Sequence, residues 1–254
     1  MMGRHLGAKL ARGWILLYAD DDIIAAPRWV AEMRRCYDDA DVAAASGKVL
    51  PRFEVKPPAW INLFPANYIS ICDAGGEYRV VERNLAFGCN MSILREVFYQ
   101  VGGSYPDSMP PDLLQYVGSG ESGMMQMVEL TGHKIVYNPD AWVYHVIPAA
   151  RLTIGFYKNR AFFQGISDSY RIIRKHGSIG GTVYPAGPQK PGIMELLRCI
   201  KHGKAKFLEY WRYMREVSIQ HYSGMCYHRD QVAGDPQLLA WVLRENYLDL
   251  TEDE

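Results

Sequence analysis

No stretch of the chain approaches the roughly 20 consecutive apolar residues that a membrane-spanning helix needs. The apolar run Trp14–Ala19, after the basic start "MMGRHLGAKLARG", is also too short for a signal-peptide core. Paired cysteines are missing: the five present (Cys36, Cys72, Cys89, Cys199, Cys226) are scattered, with no CxxC spacing. Such an odd, dispersed set is expected to stay as reduced thiols, which excludes a disulfide framework and a zinc site built on them. Surplus charge is lacking too, since 28 basic residues balance 28 acidic ones. A dedicated duplex-nucleic-acid binder relies on excess positive charge, so no nucleic-acid partner is expected. Repeats and low-complexity tracts are absent. With 48% hydrophobic and 22% charged residues the disordered and fibrous classes drop out. A chain of 254 residues can bury a large core.

Strand and helix signals alternate, which makes the chain α/β. Residues 14–19 are bulky and apolar, as in a strand buried on both faces. Pro27 suits a first helical turn, and Trp29 to Tyr37 reads as a helix with Val30, Met33 and Tyr37 on one stripe. "DVAAASGKVL" (41–50) reads as the next strand, and 51–80 as a long irregular insertion. "LAFGCNMSILREVFYQVGG" is strand, turn and helix, with Ser92 as N-cap and Gly102–Gly103 as the stop. A glycine-rich turn, a short apolar helix ended by Gly132, and a strand over 134–137 follow, with "AWVYHV" as a further short strand. From Thr153 to His176 a helical stripe runs through Phe156, Phe163, Ile166, Tyr170 and Ile173. Composition marks 177–192 as a linker. Helices complete the chain: Phe207, Trp211, Met214, Ser218 and Met225 share a face of the longest, and Asp235 caps the last.

The chemically charged feature is "ADDD", where an apolar strand runs into Asp20, Asp21 and Asp22. In an extended chain Asp20 and Asp22 point to one side and Asp21 to the other. Two carboxylates at a strand end are half of a site for a hard divalent cation such as magnesium or manganese. An acidic loop that merely sits in water would look the same.

Order and spacing decide between these readings. Downstream come "GCNMSILREVFYQVGG", "GSGESGMMQMVELTGHKIVYNP", "WVYH" and "RAFFQG". This succession, over about Gly3 to Gly165, resembles the family 2 glycosyltransferases of GT-A fold. The resemblance implies a GT-A-like (Rossmann-like, partial) mixed sheet flanked by helices over 1–176, with a linker and helical C-terminal extension over 177–254. It implies transfer of a sugar from a nucleoside diphosphate sugar to a carbohydrate or lipid-linked acceptor, assisted by manganese or magnesium.

Site residues follow from the matched positions. By similarity Asp22 is the direct metal ligand, with Asp20 on the ribose or acting through water, and His145 an added imidazole ligand. The bland reading of His145 is a half-buried strand histidine. Glu121 is the expected general base, because an acceptor hydroxyl must lose its proton as it attacks. Two registers are open there: the chain has "GES" where relatives pair Glu with Asp, and the ungapped count back from Gly132 puts Glu121 on the Asp position. Arg4, Asp21, Asn90, Arg160 and Gln164 are expected at the donor or acceptor. Arg160 and Gln164 lie one helical turn apart and so share a face. Asn90 could instead only brace its turn. The cluster Met124, Met125, Met127 is read as core, and His221, Cys226 and His228 as no metal site. The basic residues Arg198, Lys201, Lys204, Lys206, Arg212 and Arg215 form a solvated face or touch an anionic membrane. A cytoplasmic place, with peripheral contact at the inner membrane face allowed, is expected.

Relatives begin with further strand–helix units that hold the base. Here the chain starts just before the aspartates, so an N-terminally truncated chain with weakened nucleotide binding is expected. Two alternatives to the transferase stay open: a metal-dependent nucleotidyltransferase, which would want a glycine-rich triphosphate loop, and a non-catalytic remnant or partner-binding module.

Overall fold

The computed structural model describes residues 2–248 apart from 83, 84, 86, 108, 181–183, 193–196, 198, 199 and 201–203. Strands β1 (Ile15–Ala19), β2 (Ile23–Ala25), β3 (Val42–Phe53), β4 (Arg79–Val80), β5 (Asn90–Leu94) and β6 (Lys134–Ile147) form one mixed sheet. Its order is β1–β5–β3–β6–β2, with β4 also on β6. The long central pair β3–β6 is parallel, and the other pairings are antiparallel. Helices α1 (Met2–Leu10), α2 (Trp29–Arg35), α3 (Arg95–Gln100), α4 (Gly120–Leu130) and α5 (Ile154–His176) flank it. They are followed by α6 (Lys204–Gly234) and α7 (Pro236–Leu243). The α/β class and the flanked mixed sheet are as expected.

Small residues in β3 explain how both layers close on the sheet. Val42, Ala43, Ala44 and Ala45 are all buried. Successive side chains point to opposite faces. Ala44 accordingly packs with Met91, Ile93, Met124, Met125 and Val128 on the side of α3 and α4. Ala45 packs with Met33, Tyr37 and Val136 on the side of α2. The methionines of α4 are therefore core, as read from the sequence.

Several local expectations need correction. Val30 is exposed, because α2 ends at Arg35 and a 3-10 turn over Cys36–Asp38 swings Tyr37 inward without it. Ser92 caps nothing. It is buried in the middle of β5, where its hydroxyl accepts from Tyr37 at 2.7 Å, and α3 leaves the strand with Leu94 at the uncapped boundary. The two short strands expected over 134–147 are one continuous β6, paired with β3 across a register shift at Gly47/Val49. On α5 the buried stripe is Tyr157, Ala161, Ile166, Tyr170 and Ile173, while Phe156 and Phe163 lie at its margin. On α6 Met214 and Met225 of the expected face are buried, Phe207 and Trp211 pack partly buried against Leu63, Tyr210 and Met214, and Tyr210 and Val217 join the inward side.

Other expectations hold. Gly102 and Gly103 end α3 with φ of +78° and +79°, a backbone region that favours glycine. Asp235 caps α7, accepting from the amides of Gln237 and Leu238 at 2.8 and 3.1 Å. Residues 51–80 are mostly 3-10 turns and irregular backbone. Cys36, Cys72, Cys89 and Cys226 are free thiols, and Cys199 lies outside the described residues. So do Arg198, Lys201 and part of the linker expected over 177–192, and nothing is described of the Lys204 side chain. Among the described residues no helix is long and apolar enough to cross a membrane.

Helices α5 and α6 cross at a pair of glycines. A Cβ on Gly165 would lie 2.0 Å from the carbonyl oxygen of His221, and one on Gly224 would lie 2.0 Å from that of Phe162. The crossing is therefore backbone against backbone. Asp168 ties it further, with its carboxylate bonded to Gln164 (2.9 Å), His221 (2.8 Å) and Arg171.

Candidate active site

The three aspartates follow β1 directly, and the chain turns through Asp21 and Asp22 into β2. β2 then pairs antiparallel with β6, Ile23 opposite His145. That pairing, not an extended "DDD", delivers the site: it sets Asp22 Oδ2 3.2 Å from His145 Nε2. His145 is 1% exposed, and its Nδ1 is 2.9 Å from the carbonyl oxygen of Ile69. A carbonyl only accepts, so the hydrogen sits on Nδ1 and Nε2 offers its lone pair.

Arg151 completes this corner. It stands in a short turn, Ala149–Leu152, between β6 and α5. Its Nη1 donates to His145 Nε2 at 2.9 Å, and its Nη2 pairs with Asp22 Oδ2 at 3.0 Å. Asp22 Oδ1 is buried and has no hydrogen-bond partner among the described residues.

A second corner forms at the start of α4. Glu121 Oε1 accepts the backbone N–H of Gly88 at 3.2 Å, and Glu121 Oε2 lies 3.6 Å from Arg4. Arg4 also pairs with Asp107 at 3.0 Å. A Cβ on Gly88 would meet the Arg4 guanidinium at 2.4 Å, so a larger residue there would push Arg4 from its place. Ser122 turns away, its hydroxyl donating to the carbonyl of Ser119 at 2.7 Å.

Electrostatics join the two corners. Loss of water raises the Asp20 carboxyl, and the carboxylates of Asp22 and Glu121 add to this while Arg4 and His145 oppose it. Burial works against the charge on Arg4, but Glu121, Asp107 and Asp20 outweigh it and raise the guanidinium further. Arg160 is lowered by desolvation and by Arg151, with Glu121 and Tyr68 holding it up. The Cys89 thiol is pushed up to about 12 by burial, with Asp20, Glu121 and Asp22 adding to the effect. It is inert as a nucleophile.

The structure thus brings Asp22 to His145 and Glu121 to Arg4, while Asp20 and Arg160 are exposed and feel these groups only through their charges. Asp21 is exposed beside them. Two expected residues go elsewhere. Asn90 is fully buried, donating to the carbonyls of Lys48 (3.0 Å) and Ala141 (2.8 Å) and accepting from Trp29 Nε1 (2.7 Å). Its amide braces β3, β6 and α2, and no N–H is left for a sugar. Gln164 shares the helix face of Arg160 but donates to Asp168 at the α5–α6 crossing, where it also lines an open groove. Sequence reasoning missed Arg151 and Gly88; an arginine just after "YH", and the first residue of "GCN", were the available signals.

A divalent cation fits the first corner in part. An imidazole lone pair and a carboxylate oxygen converge there, and a second carboxylate oxygen is unpartnered. Magnesium and manganese commonly take one or two protein ligands and complete their shell with water and phosphate. Among the described residues no group of three or more His, Cys, Asp or Glu gathers closely enough to hold an ion by itself.

No family model matches the chain. It is 31% identical over 170 residues to the glucosyl-dolichyl phosphate glucuronosyltransferase of Haloferax volcanii, a match covering 65% of this chain and 53% of that protein. It is 22% identical over 166 residues to the succinoglycan biosynthesis protein ExoM of Rhizobium meliloti, covering 65% and 50%. The chain therefore spans about half the length of the curated relatives it matches. A crystal structure of GalNAc-T7 with UDP, GalNAc and Mn2+ overlaps 92% of this chain and 44% of that one, at 14% identity and a TM-score of 0.39. That likeness is too low to bear on function. The similarity by sequence to the Haloferax glucuronosyltransferase agrees with the resemblance carried by the motifs.

Proposed function

We propose that the chain carries out metal-assisted, inverting transfer of a sugar from a nucleoside diphosphate sugar to an acceptor hydroxyl. The observation behind this is the approach of Asp22 Oδ2 and His145 Nε2 to 3.2 Å, with the Asp22 and Glu121 carboxylates both close enough to act on Asp20. Manganese or magnesium, held by Asp22 and His145, would neutralise charge on the departing diphosphate.

The chain's own residues supply the rest. The acceptor oxygen bonds to the anomeric carbon from the face opposite the diphosphate. The carbon–oxygen bond to the diphosphate breaks with its electron pair leaving on the nucleoside diphosphate. Glu121 takes the acceptor proton, and Gly88 and Arg4 hold its two oxygens in place. Arg160, exposed on α5 and under the charge of Glu121, offers a guanidinium that is a good partner for phosphate oxygens. The dolichyl phosphate in the name of the Haloferax relative supports a carbohydrate or lipid-linked acceptor. An open groove of about 600 Å³ lined by Phe64, Tyr68, Asn67, Gln164 and His221 offers an acceptor a seat.

The test is manganese-dependent turnover of nucleoside diphosphate sugars by the full chain and by Asp22→Asn and His145→Ala. Loss of turnover in both variants, with folding retained, is expected. Turnover that survives both, or that ignores manganese, overturns the reading.

A further inference from the structure

We infer that Arg151 is a resident competitor of the divalent cation, its guanidinium and the ion being alternative occupants of Asp22 Oδ2 and His145 Nε2. The inference rests on the proposed cation reading and concerns how that site loads.

The geometry leaves the guanidinium little other purpose. Its two terminal nitrogens lie 2.9 Å from His145 Nε2 and 3.0 Å from Asp22 Oδ2, matching the planar fork of an arginine. With the hydrogen of the imidazole committed to the Ile69 carbonyl, Nε2 has only its lone pair to present. A lone pair and a carboxylate oxygen 3.2 Å apart repel unless something positive lies between them. Arg151 is that positive group. His145 is buried and anchored, so it cannot turn aside.

A cation ligated by the same two atoms needs the lone pairs that the guanidinium engages. Both cannot be satisfied at once. The unpartnered Asp22 Oδ1 gives an arriving ion a first foothold without disturbing Arg151. The Arg151 side chain is 34% exposed, so it has solvent to move into. Once released, a guanidinium is a strong bidentate partner for a phosphate. An anion that captures Arg151 therefore favours ion binding, and by linkage the ion favours the anion by the same factor.

The experiment titrates Mn2+ into the full chain without nucleotide, following free Mn2+ by electron paramagnetic resonance and heat by calorimetry. Arg151→Gln is expected to bind Mn2+ at least tenfold more tightly than the wild type, with Arg151→Lys between them. Arg160→Gln, which removes a nearby charge that is not on the two ligands, is expected to change affinity less than threefold. Unfolding midpoints confirm that each variant folds, and Arg151→Lys carries the comparison if Arg151→Gln does not. Equal or weaker Mn2+ binding by the Arg151 variants would mean that Arg151 props the ligands, and overturns the inference alone. Equal tightening by Arg160→Gln would reduce it to bulk charge and also overturns it. If no variant binds Mn2+ in a way that Asp22→Asn abolishes, the cation reading itself falls.

Discussion

Trp29 gives its indole N–H to the side-chain oxygen of Asn90 at 2.7 Å, tying the start of α2 to the first residue of β5. Both amide hydrogens of Asn90 go to carbonyls of neighbouring strands. Asn90→Ala would strand a buried N–H and two buried carbonyls, a loss of about 3 kcal/mol. Urea denaturation should show that loss. A sugar-binding Asn90 would instead leave stability intact and raise the donor KM.

Glu121→Gln keeps the oxygen that accepts from Gly88 but removes the base. Transfer by the full chain should fall by about 10²–10⁴-fold, measured as initial rates with manganese saturating. Mn2+ affinity should hardly move, because Glu121 stands apart from Asp22 and His145.

The glycine crossing of α5 and α6 gives a third expectation. Gly165→Ala or Gly224→Ala puts a methyl group 2.0 Å from a backbone oxygen, and backbone cannot yield as a side chain does. Each change should cost more than about 2 kcal/mol, read from thermal denaturation. Gly155→Ala, on the same helix with only Thr153 Oγ1 at 3.9 Å, should be harmless.

Stability should also fall on mild acidification. Burial lowers the His228 imidazole to about 4, against about 6.5 in an unfolded chain. Between those values the unfolded chain binds a proton that the folded one refuses, so stability is complete above pH 6.5 and drains away toward pH 4. The gap is worth about 3 kcal/mol. Urea midpoints at pH 7 and pH 4.5 should separate in the wild type, and His228→Gln should remove most of the separation. His5, lowered by burial as well, leaves a smaller remainder of the same sign.

What was legible in the sequence was whatever local chemistry dictates. The apolar run before Asp20, the methionines of α4, the glycine stop after α3 and the Asp235 cap each follow from spacing within one element. The convergence of Asp22 and His145 came through the motif order, since nothing local says that β2 pairs with β6. Asn90 kept two readings in the sequence, because a turn residue in a motif looks the same whether it faces a ligand or, as here, two carbonyls and an indole N–H. The bond from Gln164 to Asp168 was not legible, because a shared helix face says nothing of what stands opposite it. Arg151 gave almost no signal, being a lone arginine in a turn whose role exists only after two strands have paired. The glycine of "RAFFQG" is visible in the motif, but its reason, the α6 backbone, lies 56 residues downstream at His221.

That last contact has a mechanical consequence. With no side chain between them to compress, α5 and α6 can shift only as a single strut. Arg160 lies five residues from the pinch at Gly165, about 7.5 Å along the helix. Whatever presses on α6 is therefore handed along α5 toward Arg160 with little slack to absorb it.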